Sequence, residues 1–145
     1  MNIIRVFMVI MLLTAAVSAA ALAEDATISV TPGKYSIKKE TSSNLHPEPV
    51  INTDEKCITD KVFNPVESLP SKEHCTATNV KKKGNTVNFD VVCDLGPDMS
   101  PFKGTAEFSS NGVGIAWKIV MNGEADGKGF TVNSKAEGKR IGACK

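Results

Sequence analysis

Apolar and polar residues alternate in two stretches of the chain. Polar residues flank both Tyr35 and Ile37 near the start, and polar residues separate Val87, Phe89 and Val91 further along. A period of two is typical of a β-strand with one buried face, because successive side chains of a strand point to opposite sides. Both stretches are therefore predicted to be half-buried strands.

Residues 113–121 form a nearly continuous apolar run around Trp117. Glycines and β-branched residues interrupt any helical stripe there, which favours a strand. Turn signals rich in Gly and Asn punctuate the second half of the chain at residues 84–85, 111–112, 122–123 and 124–129. Their spacing predicts a mainly β fold, an antiparallel meander of six or seven strands.

Residues 41–74 have a different character, because four prolines are scattered through them. Proline has no amide hydrogen for a sheet ladder, so a central strand is excluded and a long crossover is expected. Within this region one short helix is predicted, with Thr59 as its N-cap, Val62 and Phe63 on its apolar side, and Pro65 at its end.

The chain begins with the pattern of a secretory signal peptide. Arg5 precedes an apolar run, and small residues lead to a predicted cleavage site after Ala23. The alternative is an uncleaved membrane anchor, but alanine and serine make much of this run only weakly apolar. We predict a signal peptide over residues 1–23, a single β-rich domain over residues 24–145, and no stable membrane insertion after cleavage.

Net charge argues against nucleic acid as a partner. The chain has 17 basic and 16 acidic residues, and the signal peptide removes only the cation of Arg5, so the mature domain is neutral. A neutral surface has no broad field to attract a polyanion.

Four cysteines, Cys57, Cys75, Cys93 and Cys144, lie in the predicted mature domain. An even number in an exported chain indicates two disulfides, for which three pairings exist. Zinc ligands usually come in close pairs, which these cysteines do not form. No metal and no cofactor is therefore expected.

Local pattern favours one of the three pairings. Cys75 and Cys93 lie at equal distances on either side of Gly84 in a predicted hairpin, so they are expected to face each other. This leaves Cys57 to pair with Cys144. Cys75 and Val80 are an odd number of positions apart, however, so in a regular strand their side chains point to opposite faces. They share one face only if the strand contains a bulge or the disulfide is diagonal.

The last residues, GKRIGACK, suggest a fastening of the chain end. Lys139 and Arg140 lack the glycine-rich context of a phosphate loop. Gly138 and Gly142 are expected to let a last strand bend, and Ile141 to supply an inward apolar contact.

These features together resemble a domain-of-unknown-function family of small exported bacterial proteins. The resemblance lies in PGKY at residues 32–35, CITD at residues 57–60, the two cysteines around the Gly-Asn hairpin, and the ending GKRIGAC. It implies a four-cysteine β-rich domain in the bacterial envelope, periplasmic or secreted, and it implies no activity.

Candidate chemistry is sparse. The two histidines, His46 and His74, lie in the proline-rich region without the pattern of a catalytic triad. Tyr35, Phe89 and Trp117 are candidates to line a pocket, with core packing as the alternative. We therefore expect a non-catalytic module that binds a small apolar ligand or an envelope component. The alternatives are a hydrolase that acts on an envelope polymer or small ester, and a structural partner of another envelope protein.

Overall fold

The structure, a computed structural model, describes residues 25–69, 73–94, 96–97 and 100–145. The regular structure in these ranges consists of nine β-strands: β1 (Ile28–Ser29), β2 (Gly33–Ser43), β3 (His46–Ile58), β4 (Val62–Phe63), β5 (Cys75–Lys83), β6 (Thr86–Cys93), β7 (Phe102–Ser110), β8 (Gly114–Ala125) and β9 (Lys128–Gly142). The predicted signal peptide, residues 1–23, lies outside the described ranges. None of the described segments is a helix long and apolar enough to cross a membrane.

Seven of the strands form one antiparallel sheet in the order β3-β2-β9-β8-β7-β6-β5. Strands β5 to β9 are a meander in which each strand pairs with the next, and the hairpin of β2 and β3 adds to it through β9. The predicted mainly β class and the number of strands in the antiparallel sheet are thus confirmed. Strands β3 and β5 are the two edges.

One face of the sheet, here called the inner face, carries the apolar core. The register aligns Val87 with Phe108, Phe108 with Trp117, and Trp117 with Ala136 across four neighbouring strands. Alternation along each strand puts Phe89 on the same face, and Val87 and Phe89 are almost fully buried. The periodicity of residues 87–91 therefore predicts the buried face correctly.

A strap covers part of this inner face. It consists of residues 25–31 and 59–69, which meet where β1 pairs with β4 and where the Val30 amide donates to the Lys61 carbonyl at 2.9 Å. Ile28 and Val30 of the strap are only 2% and 6% exposed, and they belong to the same apolar cluster as Phe89. The strap thus closes the core that a single sheet leaves open on one side.

The prediction of a short helix around Val62 and Phe63 is wrong. Phe63 is half-buried while Val62 is 53% exposed, which is the alternation of a strand, and the two residues pair with Ile28 and Ser29 respectively. A helix this short is unstable by itself, whereas pairing with β1 satisfies the backbone and buries Phe63. After β4 the chain makes only a turn at residues 65–68, where the Val66 amide donates to the Asn64 side chain at 3.0 Å.

The predicted crossover over residues 41–74 is shorter than expected. Residues 46–58 form β3, and only the chain from residue 59 onward crosses towards β5. Because β3 pairs with β2 alone, it is an edge strand, where a residue without an amide hydrogen such as Pro49 is tolerated. The position of β3 agrees with the exclusion of a central strand, but residues 41–43 contradict it, since they end β2, which lies between β3 and β9.

Two disulfides join Cys75 to Cys93 and Cys57 to Cys144, and these are the pairs predicted from the symmetry of the hairpin around Gly84. Cys75 and Cys93 are direct partners in the register of β5 and β6. The parity conflict is resolved by a β-bulge between Thr78 and Lys81, where Asn79 has a positive φ of 52°. Beyond the bulge the alternation of exposure is reversed, so that Cys75 and Val80 both pack against the core.

The turn predicted at Asn122-Gly123 is also wrong, because both residues lie inside β8. A side chain at position 123 would collide with the rings of Phe102 and Phe130, whose centroids are 5.2 Å apart. This glycine therefore permits a close aromatic contact. The chain turns instead at Asp126 and Gly127, both with positive φ, inside the predicted turn at residues 124–129.

The end of the chain is fastened by Arg140 as well as by Cys144. The Arg140 side chain donates from Nε to the Pro32 carbonyl at 2.9 Å, and its backbone amide donates to the Val113 carbonyl. The predicted inward contact of Ile141 is wrong, since this side chain is 49% exposed. Ile141 lies at the register shift between Arg140 and Gly142, where it has no partner on β2, so regular alternation does not place it on the inner face.

Candidate functional site

The main candidate site is an apolar cavity between the inner face of the sheet and the strap. Its volume is about 440 Å³. The sheet contributes Ile37, Phe108, Trp117 and Ile119, and the strap contributes Ile28, Val30 and Phe63. Small-molecule sites of proteins have volumes of about 300 to 1,000 Å³ and mainly apolar linings, so this cavity has the size and character of a binding site.

An aromatic cluster forms one wall of the cavity, and Phe108 is at its centre. The ring of Phe108 stacks on Phe89 at a centroid distance of 5.9 Å and on Trp117 at 6.1 Å, and it contacts Phe63 at 6.3 Å. Such contacts hold the rings in a fixed arrangement. The cavity wall is therefore preorganised on the sheet side.

The three aromatic residues predicted to line a pocket have different positions. Trp117 lines the cavity. Phe89 lies beside the cavity wall on the same face of the sheet, where it stacks against Phe108 and is 2% exposed. Tyr35 is fully buried in a second apolar cluster with Ile37 and Ala136.

The hydroxyl group of Tyr35 lies within hydrogen-bonding distance of two backbone carbonyls. The hydroxyl lies 2.8 Å from the Thr31 carbonyl and 3.2 Å from the Gly112 carbonyl. A buried tyrosine hydroxyl usually has such a partner, and here it links the start of β2 to the turn before β8. The apolar cluster of Tyr35 packs against Trp117, although Tyr35 itself does not line the cavity.

Asn85 holds the strap against the sheet. Its Nδ2 donates to the carbonyls of Ser29 and Ser110, both at 2.8 Å, and its Oδ1 accepts from the Ser29 amide at 2.6 Å. The turn residue of the β5–β6 hairpin therefore bonds both to β1 in the strap and to the end of β7. This contact positions Ile28 and Val30 over the cavity.

Sequence reasoning missed the contribution of the strap to the site. Ile28 and Val30 alternate with Thr27, Ser29 and Thr31, which is the same period-two signal as in the predicted strands. That signal could have identified a strand with one buried face. The position of the strap over the sheet depends on tertiary contacts such as those of Asn85, which have no local signature.

A second set of polar contacts fixes the start of the strap. The hydrogen bonds of Thr27 lower the pKa of the Asp25 carboxyl below its usual value, and Lys82, with its ammonium group 3.3 Å away, lowers it further. The Thr27 amide donates to Asp25 at 3.1 Å. The charged form of Asp25 is therefore favoured at neutral pH, and it ties the strap to β5.

Neither histidine lies at the cavity. His46 begins the edge strand β3, and His74 lies next to the opposite edge strand β5. In the described part of the chain, no group of three or more histidine, cysteine or acidic side chains could hold a metal ion. No histidine is among the residues that line this cavity.

The fold and the site define a disulfide-linked β protein in which a strap covers an apolar cavity on one face of an antiparallel sheet. The chain belongs to a family described as protein of unknown function (DUF3617), whose model matches residues 30–144. The resemblance to a domain-of-unknown-function family is thereby confirmed at that level. No curated protein and no solved structure gives a significant match to the chain.

Proposed function

We propose that this protein is an exported, non-catalytic binding module of the bacterial envelope that holds a small apolar ligand under the strap. The observation that carries the proposal is the cavity of about 440 Å³ whose walls are the aromatic cluster and the apolar strap residues. An apolar ligand would release water from this surface and contact rings that are already fixed, so little ordering would oppose binding.

Export is supported by the signal-peptide pattern of residues 1–23 and by the two disulfides, which are consistent with an oxidising compartment outside the cytoplasm. We expect the purified protein to begin at Glu24 and to be found in the periplasmic or secreted fraction. N-terminal sequencing after cell fractionation tests this. A full-length chain in the membrane fraction would refute it.

Ligand binding can be measured directly, because Trp117 is the only tryptophan of the chain and lines the cavity. We expect the emission of Trp117 to change in a saturable way when an apolar probe such as 1-N-phenylnaphthylamine is added. Absence of a saturable change, together with absence of any ligand in organic extracts of the purified protein, would contradict the proposal.

Two variants of neighbouring residues on β8 separate cavity binding from surface binding. Ile119 lines the cavity, whereas alternation along the strand points Val120 to the outer face. Ile119→Phe is expected to fill the cavity and to weaken probe binding, and Val120→Phe is expected to leave it unchanged. An equal effect of both variants would place the probe elsewhere.

A further inference from the structure

The mouth of the cavity is identified by which of its lining residues are exposed. The exposed ones are Lys56, Cys57, Thr59, Asp60 and Ser68, while the remaining lining residues are buried or half-buried. All five lie at the end of β3 or in the strap segment after it. The opening of the cavity is therefore at this corner, and the apolar walls lie behind it.

The mouth carries one positive and one negative side chain. Lys56 is the register partner of Tyr35 and precedes Ile58 by two positions, so it projects from the inner face of β3. Asp60 lines the same mouth just after β3. Among the described residues, neither Lys56 nor Asp60 forms an ion pair.

The outer face of the same corner differs. There Lys34 of β2 forms an ion pair with Glu55 of β3, so these two charges are already paired. At the mouth, two opposite charges remain available at the entrance of an apolar cavity. Thr59 and Ser68 line the same entrance.

We propose that the ligand is a single-chain amphiphile with a zwitterionic head group. Its apolar chain lies between the aromatic cluster and the strap, its anionic group is bound by Lys56, and its cationic group is bound by Asp60. This assignment rests on the proposed function, since it requires that the cavity binds a ligand, and it adds the chemistry of the head group. A neutral head would form no ion pair with either exposed charge, and a singly charged head would pair with only one of them.

Four probes with the same alkyl chain test the head group by Trp117 emission below their critical micelle concentrations: decylphosphocholine, decyl phosphate, decyltrimethylammonium and decyl maltoside. We expect decylphosphocholine to bind most tightly. Glycerophosphocholine, which has the head without the chain, is expected to bind far more weakly; equal binding of it would overturn the role of the apolar chain.

Variants assign the two charges. Because both side chains are exposed, Lys56→Ala and Asp60→Asn are each expected to weaken decylphosphocholine binding about two- to five-fold. Asp60→Asn is also expected to strengthen decyl phosphate binding, and neither variant should change decyl maltoside binding. Lys34→Ala on the outer face is the matched control and should change none of these affinities.

The outcomes separate this inference from the proposed function. Equal affinities for all four alkyl probes, unchanged in Lys56→Ala and Asp60→Asn, would overturn the zwitterionic head and leave cavity binding intact. No response of Trp117 to any alkyl probe would overturn the proposed function itself.

Discussion

Cys57 on the edge strand β3 is bonded to Cys144 in the chain end, with their Cα atoms 5.7 Å apart, although β2 lies between β3 and β9. The bond passes the start of β2, where Lys34 is the register partner of both Cys57 and Gly142. It therefore joins β3 to the segment just after β9, although β3 and β9 do not pair with each other. Cys57 also lines the cavity, so this fastening holds one side of the mouth.

Removal of this disulfide is expected to destabilise the protein more than removal of the other one. The two cysteines are 87 positions apart, against 18 for Cys75 and Cys93, and a longer loop restricts the unfolded chain more. Cys57→Ser/Cys144→Ser should lower the free energy of unfolding by roughly 4 to 5 kcal/mol, and Cys75→Ser/Cys93→Ser by roughly 3 kcal/mol. Urea unfolding of both double variants measures the difference.

Peptide mapping without reduction is the control for the pairing itself. It should recover a peptide pair that contains Cys57 and Cys144. Recovery of Cys57 joined to Cys75 would contradict the structure, and the stability comparison would then lose its basis.

Gly138 is expected to be required for packing at the end of the sheet. A Cβ atom at this position would lie 2.6 Å from Ile115 and 3.2 Å from Ile37, both on the inner face. Gly138→Ala should therefore destabilise the protein by about 1 to 3 kcal/mol through overpacking. The matched control is Gly142→Ala, since a Cβ atom there meets nothing within 4 Å. Equal thermal stabilities of the two variants would show that the close packing at Gly138 is unimportant.

Much of the sheet could be predicted from the sequence because its signals are local. Alternation in residues 87–91 and the Gly84-Asn85 turn identify β5 and β6, and the symmetry of that hairpin selects the disulfide between Cys75 and Cys93. The spacing of Cys75 and Val80 indicates either a bulge or a diagonal disulfide, and the structure has the bulge. These features depend on residues that are close in the chain.

The errors arise where distant contacts override local preference. Val62 and Phe63 suggest a helix when only their neighbours are considered, but pairing with β1 makes them a strand. Gly123 has the local pattern of a turn, whereas contact with Phe102 requires a glycine within a strand. The site was predictable only at Trp117, since the strap that forms the other wall is positioned by contacts far apart in the sequence.

The Asp25 carboxyl is expected to titrate below the usual range of aspartate. Hydrogen bonds from Thr27 contribute most to this lowered pKa, and Lys82 contributes less. Because the pKa of Asp25 is lower in the folded than in the unfolded state, its ionised carboxyl stabilises the fold at pH values above the unfolded-state pKa. This stabilisation is lost as the pH falls through the folded-state pKa. An NMR titration of the Asp25 carboxyl measures the pKa, and Thr27→Ala should raise it. An unchanged value in that variant would show that Thr27 is not the cause.

Asn79 is expected to stabilise the bulge in β5. Its φ of 52° is unfavourable for most residues but tolerated by asparagine and glycine, and its side chain donates to Asp90 at 2.6 Å. Asn79→Ala should lower the free energy of unfolding by about 1 to 2 kcal/mol, because it loses this bond and disfavours the backbone conformation. Asn79→Gly keeps the conformation and should be less harmful. A larger loss in the glycine variant, measured in urea, would contradict this account of the bulge.

Asn85 is expected to be the residue whose loss loosens the cavity. Asn85→Ala removes three hydrogen bonds that join the strap to the sheet and leaves backbone groups of Ser29 and Ser110 without these partners. We expect destabilisation of about 1 to 3 kcal/mol. We also expect faster hydrogen exchange at the Val30 amide, which bonds to Lys61 within the strap.

Asn88→Ala, on the outward-facing side of β6, is the matched control for Asn85→Ala. The contrary outcome is that Asn85→Ala lowers global stability while the exchange rate of the Val30 amide rises no more than the rates of core amides in β7. The strap and the sheet would then unfold as one unit, and Asn85 would not control access to the cavity.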